Sequence, residues 1–132
     1  MVCEMIERRL FHLVCPADLA SWQAGPWAPP SLAAEGFVHL SFADQLAGTL
    51  RKWYSDAAEA VLLEVDAGEV ADALRIEPSR GGAMFPHVHR AMNRTDFTRR
   101  WDLSRGGGGG DFELPGLGDS PGADDPPGAA FV

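Results

Sequence analysis

The sequence predicts one α+β domain over residues 1–103, an antiparallel or mixed β-sheet sandwich with small helices. Hydrophobic residues make up 45% of the 132-residue chain, which is enough for a core. Strand-like segments follow one another through short loops, without the regular strand-helix alternation of a doubly wound sheet. Residues 104–132 hold nine of the 15 Gly and four of the 10 Pro, which predicts an acidic, flexible tail unable to offset its ordering entropy.

The first elements are a buried strand and two short helices. Residues 9–15 are apolar on both faces and end at Pro16, which predicts a strand covered on both sides. Proline at a helix-starting position predicts a helix over 16–22. Residues 31–35 resemble a helix start, and Gly36 ends this single turn.

Residues 37–41 form the second predicted strand. Because side chains alternate along a strand, Phe37, His39 and Ser41 are predicted to point one way, and Val38 and Leu40 the other. We therefore expect His39 and Ser41 to be neighbours in one site.

The remaining segments predict one longer helix and then mostly strands. Phe42, Leu46, Leu50 and Trp53 recur at helical spacing and predict an apolar stripe on a helix over 43–54. Strands are predicted at 60–66, 74–77, 84–89 (interrupted by a proline) and 97–103, the last as an edge strand.

The charge of the chain limits its partners. The net charge is −8, shared evenly by the predicted domain (14 acidic and 10 basic residues) and the tail (five and one). An acidic surface repels phosphate backbones and anionic membranes, so general nucleic-acid binding and membrane binding are not expected. The dense basic run of Arg94, Arg99 and Arg100 is typical of a solvated strand face.

The two cysteines and the lack of long apolar runs indicate a compartment. No secretory leader, transit peptide or apolar run near the roughly 20 residues of a membrane span is seen. A reducing cytoplasm is therefore expected, with Cys15 as a buried, inert thiol.

Three of the four histidines, His12, His39 and His87, lie within or beside apolar strands. Neutral imidazole has one donor and one acceptor, so histidines lining a cleft can orient a ribose hydroxyl, move a proton or bind a metal. The alternative is that each is a core histidine bonded to a backbone carbonyl. A Ser-His nucleophile is not favoured, because no Gly-x-Ser-x-Gly elbow surrounds Ser41.

A histidine-based metal site is a lesser alternative, and no metal ligand is assigned. His87 and His89 share a strand face but need a third ligand, for which His39, His12 or Asp66 are candidates. Against it, the chain has no His-x-x-x-His helix and no cysteine pair at zinc spacing.

The turn over 79–83 is a candidate anion site. Gly81 and Gly82 permit positive φ and close approach of backbone amides to a ligand, and Arg80 can clamp a phosphate or carboxylate. A flexible hairpin turn with a solvated arginine is the alternative.

Four segments carry a family resemblance, in order and at fitting intervals: 35–41 (EGFVHLS), 52–54 (KWY), 61–63 (VLL) and 79–88 (SRGGAMFPHV). Over about residues 10–103 the chain resembles the bacterial domain of unknown function family 952. That family is distantly similar to the ADP-ribosyltransferase fold, a split β-sheet with small helices that holds NAD in a cleft.

The resemblance implies an NAD-type or other nucleotide ligand and an ADP-ribosyltransferase-like or phosphotransferase-like enzyme. It places His12 at the nicotinamide ribose, His39 and Ser41 beside the nicotinamide, and His87 near the third catalytic position. The expected catalytic residues are thus His39, His87 and Ser41, and the expected binding residues are His12, Phe37, Arg80, Gly81, Gly82 and His89.

Two departures from the family pattern keep an alternative open. ADP-ribosyl transfer commonly uses a Glu where this chain has His87, and a cation there opposes the developing positive charge unless the histidine is neutral or Glu77 serves. His89 stands where relatives tend to have Tyr. The alternative is a non-catalytic module that binds a small metabolite or peptide in the same cleft.

Overall fold

The computed structural model describes residues 9–22, 25–105, 111–117 and 129–130, without the side chains of Pro30, Arg80, Ala129 and Ala130. Among them the helices are α1 (Pro16–Ser21), α2 (Pro30–Glu35), α3 (Leu46–Trp53) and α4 (Ala67–Val70). The strands are β1 (Leu10–Val14), β2 (Val38–His39), β3 (Glu59–Val65), β4 (Leu74–Pro78), β5 (Met84–Val88), β6 (Phe97–Ser104) and β7 (Ala129–Ala130). None of these helices has the length and apolar character needed to cross a bilayer.

Two antiparallel sheets form the framework. One has the order β1-β3-β6-β7 and the other the order β2-β5-β4, and every described strand pair is antiparallel. The sheets meet where Phe11 pairs with Ser41, through N–H···O bonds of 2.9 and 2.8 Å. This confirms an α+β fold with antiparallel sheets and short helices.

The four-stranded sheet is covered on both faces, which explains why β1 and β3 are apolar throughout. One face carries Leu10, Val61 and Leu63 and packs against Val38 and Val88 of the three-stranded sheet. The opposite face carries Leu13, Leu62 and Trp101, among others, and packs against α3. Two-sided burial removes the polar alternation expected of a half-exposed strand.

Helix α3 presents a shorter stripe than the sequence predicts. A 3-10 turn at Ala43–Gln45 precedes it, and Leu46 and Leu50 are buried as expected. Trp53 is 66% exposed, so its assignment to the stripe is wrong. It is the last residue of the helix.

The buried core extends beyond residue 103. Phe112 is buried against the α3 side of the sheet, with Leu114 and Leu117 packed beside it. Glu113 donates its N–H to Ser104, and Arg105 pairs with Phe112 as an isolated bridge. The parts of the predicted tail at 106–110, 118–128 and 131–132 lie outside the described residues.

Strand β6 is not an edge strand, because β3 flanks it on one side and β7 on the other. Two residues of the basic run that the sequence places on a solvated strand face, Arg94 and Arg99, are bonded within the fold. Arg94 donates to the carbonyl of Trp22 and lies over that indole. Arg99 donates to Glu64 at 2.8 and 3.1 Å.

Candidate functional site

The outer face of the three-stranded sheet carries the candidate site. His39 of β2 and His87 of β5 are direct cross-strand partners, as are Val38 and Val88. Both valines are fully buried in the core between the sheets. Because side chains alternate, the two histidines share the opposite face, and their ring centroids are 5.3 Å apart.

Glu77 of β4 joins the histidines of β5. Its Oε1 accepts hydrogen bonds from Nδ1 of His87 and from Nε2 of His89, each at 2.8 Å. These bonds, the one from His87 foremost, hold the pKa of Glu77 below its usual value. Glu77 is therefore an ionised carboxylate at neutral pH.

His87 is the buried centre of the site, with a side chain only 3% exposed. Burial lowers its pKa, and the hydrogen bond to Glu77 opposes this shift without cancelling it. With Nδ1–H donating to Glu77, the neutral ring carries its lone pair on Nε2. That nitrogen is buried and has no hydrogen-bond partner in the part of the chain that the structure describes.

Phe37 covers His87. Its ring lies nearly parallel to the imidazole, with centroids 4.0 Å apart and an interplanar angle of 16°. His39 meets Phe37 edge-on at 4.8 Å, and His89 lies 5.3 Å from it. We call these three histidines, Phe37 and Glu77 the imidazole cluster.

Local structure around Gly36 places Phe37 over the sheet. Gly36 ends α2 in the left-handed conformation, with φ of 90°, which a residue with a side chain adopts only at a cost. Ser31 of α2 donates to the carbonyl of Phe37 at 3.0 Å. His39 is half-exposed, and its Nε2 lies 3.0 Å from the carboxylate of Glu35.

His12 lies in the core and has no free ring nitrogen. Nε2 accepts from the indole N–H of Trp27 at 3.1 Å, so Nδ1 carries the proton and donates to the carbonyl of His39 at 2.9 Å. Burial lowers the pKa of His12 to about 4. His12 is therefore a core histidine bonded to a backbone carbonyl, as the alternative proposed. Both of its ring nitrogens are in hydrogen bonds, so neither is available for the predicted contact with a ribose.

Ser41 does not join His39. Strand β2 ends at His39, and by Ser41 the chain has crossed to the other sheet, where it pairs with Phe11. The Ser41 hydroxyl lies 3.1 Å from that of Thr49 on α3. The expectation of a shared His39–Ser41 site assumed a strand that continues past residue 39, and this is wrong.

The turn between β4 and β5 has the conformation that its glycines predict. Gly81 and Gly82 have φ of 67° and 81°. Ser79 donates to the carbonyl of Ala83 at 2.8 Å and closes the turn. The side chain of Arg80 lies outside the described residues, so its predicted role as an anion clamp stays a prediction.

A small, partly open pocket of about 50 Å³ lies elsewhere, on the α3 side of the four-stranded sheet. Its walls include Leu50, Phe112 and Arg105. Arg105 donates to the carbonyls of Tyr54, Ser55 and Ala57, which follow α3. These contacts belong to the packing of the chain beyond β6 and not to the imidazole cluster.

For the metal alternative, the structure brings to His87 and His89 a side chain that the sequence did not single out for it. Among the candidates, His12 is sealed in the core and Asp66 caps α4 by accepting from Gly68 and Glu69. The side chain that lies beside both histidines is that of Glu77, with its Oε1 2.8 Å from a ring nitrogen of each. The hairpin pairing indicates this position of Glu77. Glu77 lies opposite Phe85, two residues along β4 from the direct partner of His87, and therefore on the same face of the sheet.

The fold and sequence are similar to those of a solved bacterial protein. The crystal structure of protein CC0527 from Caulobacter crescentus is 33% identical, covers 80% of this chain and 94% of that one, and has a TM-score of 0.69. The solution NMR structure of CC0527 is 34% identical, covers 76% and 89% of the two chains, and has a TM-score of 0.66. No curated protein matches this chain.

The family model described as "Protein of unknown function (DUF952)" matches residues 14–99, which include α1, strands β3 and β5, and the whole imidazole cluster. The resemblance seen in the sequence motifs is thereby confirmed at the level of the family. The chain belongs to the DUF952 family.

Proposed function

We propose that the imidazole cluster binds NAD or another ADP-ribosyl nucleotide, and that Glu77 supplies the carboxylate for ADP-ribosyl transfer. The observation that carries the proposal is Nε2 of His87, which is buried and has no hydrogen-bond partner among the residues that the structure describes. A buried acceptor without a partner costs about 1–3 kcal/mol, a cost that a ligand hydroxyl or amide N–H removes on binding. Ribose hydroxyls and the nicotinamide amide are donors of this kind.

The aromatic surroundings of His87 favour a planar ligand ring. Phe37, His39 and His89 place three ring surfaces around it, and such surfaces stack on heteroaromatic rings. Nε2 of His87 is buried and its lone pair lies in the plane of the ring, so a ligand reaches it only when the side chains at that edge of the ring move. Phe37, which covers one face of the ring, is only partly buried.

The charges of the cluster suit a transition state with positive character. The pKa of Glu77 is lowered, so it is an anion, and the lowered pKa of His87 keeps that ring neutral. The objection that a cation at His87 opposes oxocarbenium-like charge therefore does not apply, because burial removes the cation. With water as acceptor, the ribose–nicotinamide bond breaks, nicotinamide leaves with the electron pair, and water adds to the ribose with loss of a proton.

Calorimetric titration of the full chain with NAD, ADP-ribose and nicotinamide tests the binding step. We expect saturable heat from NAD and ADP-ribose, with the affinity lowered at least tenfold in His39→Ala. The His39 ring is half-exposed, so this variant is expected to fold. Trp53→Ala, an exposed aromatic on α3, is the matched control and is expected to bind normally. Absence of heat from all three compounds with folded protein contradicts the proposal.

Binding without turnover is the second candidate, favoured by the engagement of Glu77 Oε1 in both histidine bonds. In that case the cluster senses a metabolite or peptide, and the carboxylate serves only to orient the rings. It predicts a ligand-induced rise in melting temperature with no nicotinamide released from labelled NAD. Nicotinamide release that Glu77→Gln abolishes excludes this candidate.

A further inference from the structure

Three metal-ligating side chains converge on the outer face of the three-stranded sheet. The ligand atoms of Glu77, His87 and His89 all lie within 4.8 Å of one another. Glu77 Oε1 is 2.8 Å from each of the two ring nitrogens. Two imidazoles and a carboxylate are a ligand set suited to zinc and related divalent ions.

The hairpin produces this convergence. His87 and His89 are two positions apart along β5 and its continuation, so both rings emerge on one face. On β4, Arg75 is the direct partner of His87, and Glu77 is two residues further along on the same face. The Glu77 side chain reaches back diagonally and places its carboxylate between the rings.

We propose that Glu77, His87 and His89 form a binding site for a divalent transition-metal ion of the zinc type. This inference goes beyond the proposed function, because it requires no nucleotide. It also differs from the ligand sets that the sequence suggested, which contained His39, His12 or Asp66.

Holding an ion requires the three ligand atoms to shift. Zinc lies about 2.0–2.2 Å from imidazole nitrogen and carboxylate oxygen, so tetrahedral ligand atoms stand about 3.4 Å apart. The present 2.8 Å contacts must widen by roughly half an ångström, and ligand atoms now up to 4.8 Å apart must approach each other by roughly 1.4 Å. The carboxylate is one-third exposed and His89 nearly so, which leaves these two side chains room to move.

Three protein ligands leave a coordination position open, as in zinc sites that hold a water molecule. Metal at Nδ1 of His87 moves the ring proton to Nε2, which then becomes a donor. That buried N–H has no acceptor among the described residues, which weakens the metal complex until an oxygen of a ligand or of water reaches it. Metal binding at His89 leaves no buried N–H without an acceptor, because solvent reaches this partly exposed ring.

Calorimetric titration of chelator-treated, full-length protein with zinc ion alone is the test. We expect one saturable site per chain, and a loss of affinity of at least tenfold in both Glu77→Gln and His89→Gln. Glu69→Gln, which alters an exposed glutamate on α4 away from the cluster, is the matched control and is expected to bind zinc like the wild type. Zinc is also expected to raise the melting temperature of the wild type and of Glu69→Gln, and to leave that of His89→Gln unchanged.

Two results overturn the metal site. One is the absence of saturable heat in the folded wild-type protein. The other is zinc affinity that is the same in wild type, Glu77→Gln and His89→Gln, which would assign the ion to other residues. Because no nucleotide is added, either failure is separate from the outcome of the NAD titration.

Discussion

Acidification is expected to destabilise this protein through His12, a residue buried between the sheets. The folded protein holds the pKa of His12 at about 4, because burial opposes the charged ring, against 6.5 for the unperturbed side chain. At pH values between these two, His12 binds a proton in the unfolded chain and does not bind it in the folded chain. The contribution of His12 to stability is therefore complete above pH 6.5 and is lost as the pH falls toward 4.

The size of the effect follows from the same two values. Each pH unit of difference corresponds to about 1.4 kcal/mol, so the full window amounts to roughly 3 kcal/mol. Typical domains have a free energy of unfolding of about 5–15 kcal/mol, so this loss is a large part of it. The two hydrogen bonds of His12, to Trp27 and to the carbonyl of His39, leave no position for a second ring proton without breaking one of them.

Urea unfolding followed by tryptophan fluorescence, from about pH 7.5 to about pH 4, measures the loss. The comparison protein is His12→Asn, which keeps a donor for the His39 carbonyl and has no titrating ring. We expect this variant to be less stable at neutral pH and to lose less stability on acidification than the wild type. The other buried histidine, His87, is present in both proteins, so its titration cancels in the comparison.

Equal losses of stability in wild type and His12→Asn over this pH range would refute the reasoning. Such a result would mean that the ring of His12 takes up its proton as easily in the folded protein as in the unfolded chain. Its placement in a sealed core position would then be wrong.

Three further perturbations test the packing that supports the site. Phe112→Ala is expected to lower the free energy of unfolding by about 3 kcal/mol in urea unfolding, because it removes a buried ring. Trp53→Ala, which removes an exposed ring, is expected to change the same free energy by about 0.5 kcal/mol or less. Glu64→Gln is expected to cost about 3 kcal/mol, since the carboxylate accepts from the buried Arg9 at 2.9 and 3.0 Å; a loss below about 1 kcal/mol would contradict this. Gly36→Ala is expected to cost about 1 kcal/mol at φ of 90°, and an unchanged urea midpoint would show that the turn is not strained by a side chain.

The two roles proposed for the imidazole cluster depend on the same carboxylate in different ways. As the partner of Nδ1–H of His87, Glu77 sets which ring nitrogen faces a ligand. When Glu77 instead shares a metal ion with Nδ1 of His87, the ion displaces the ring proton to Nε2 and reverses that choice. Zinc and a ligand that donates a hydrogen bond are therefore expected to compete, and zinc and a ligand that accepts one are expected to bind together.

Local patterns predicted most of the elements. An apolar run ended by a proline located β1, a proline at a helix start located α1, and a helix start ended by Gly36 located α2. Helical spacing located α3 from its buried residues Leu46 and Leu50. The glycine pair at the β4–β5 turn adopts positive φ, as its composition indicates. These features depend on interactions within a few residues, which the sequence displays directly.

The sequence by itself also predicted that histidines lie within or beside strands, and His39 and His87 both fall within residues 14–99, which the DUF952 family model matches. Only the tertiary structure decided which of them meet. The crossing of the chain between sheets separates Ser41 from His39, the second sheet encloses His12, and strand pairing brings Glu77 to His87 and His89. Alternation along a strand shows which side chains share its face. The partner strand, its register and the layer packed above depend on long-range contacts. These contacts decide whether an imidazole is buried and fully bonded, like His12, or has a ring nitrogen without a partner among the described residues, like His87.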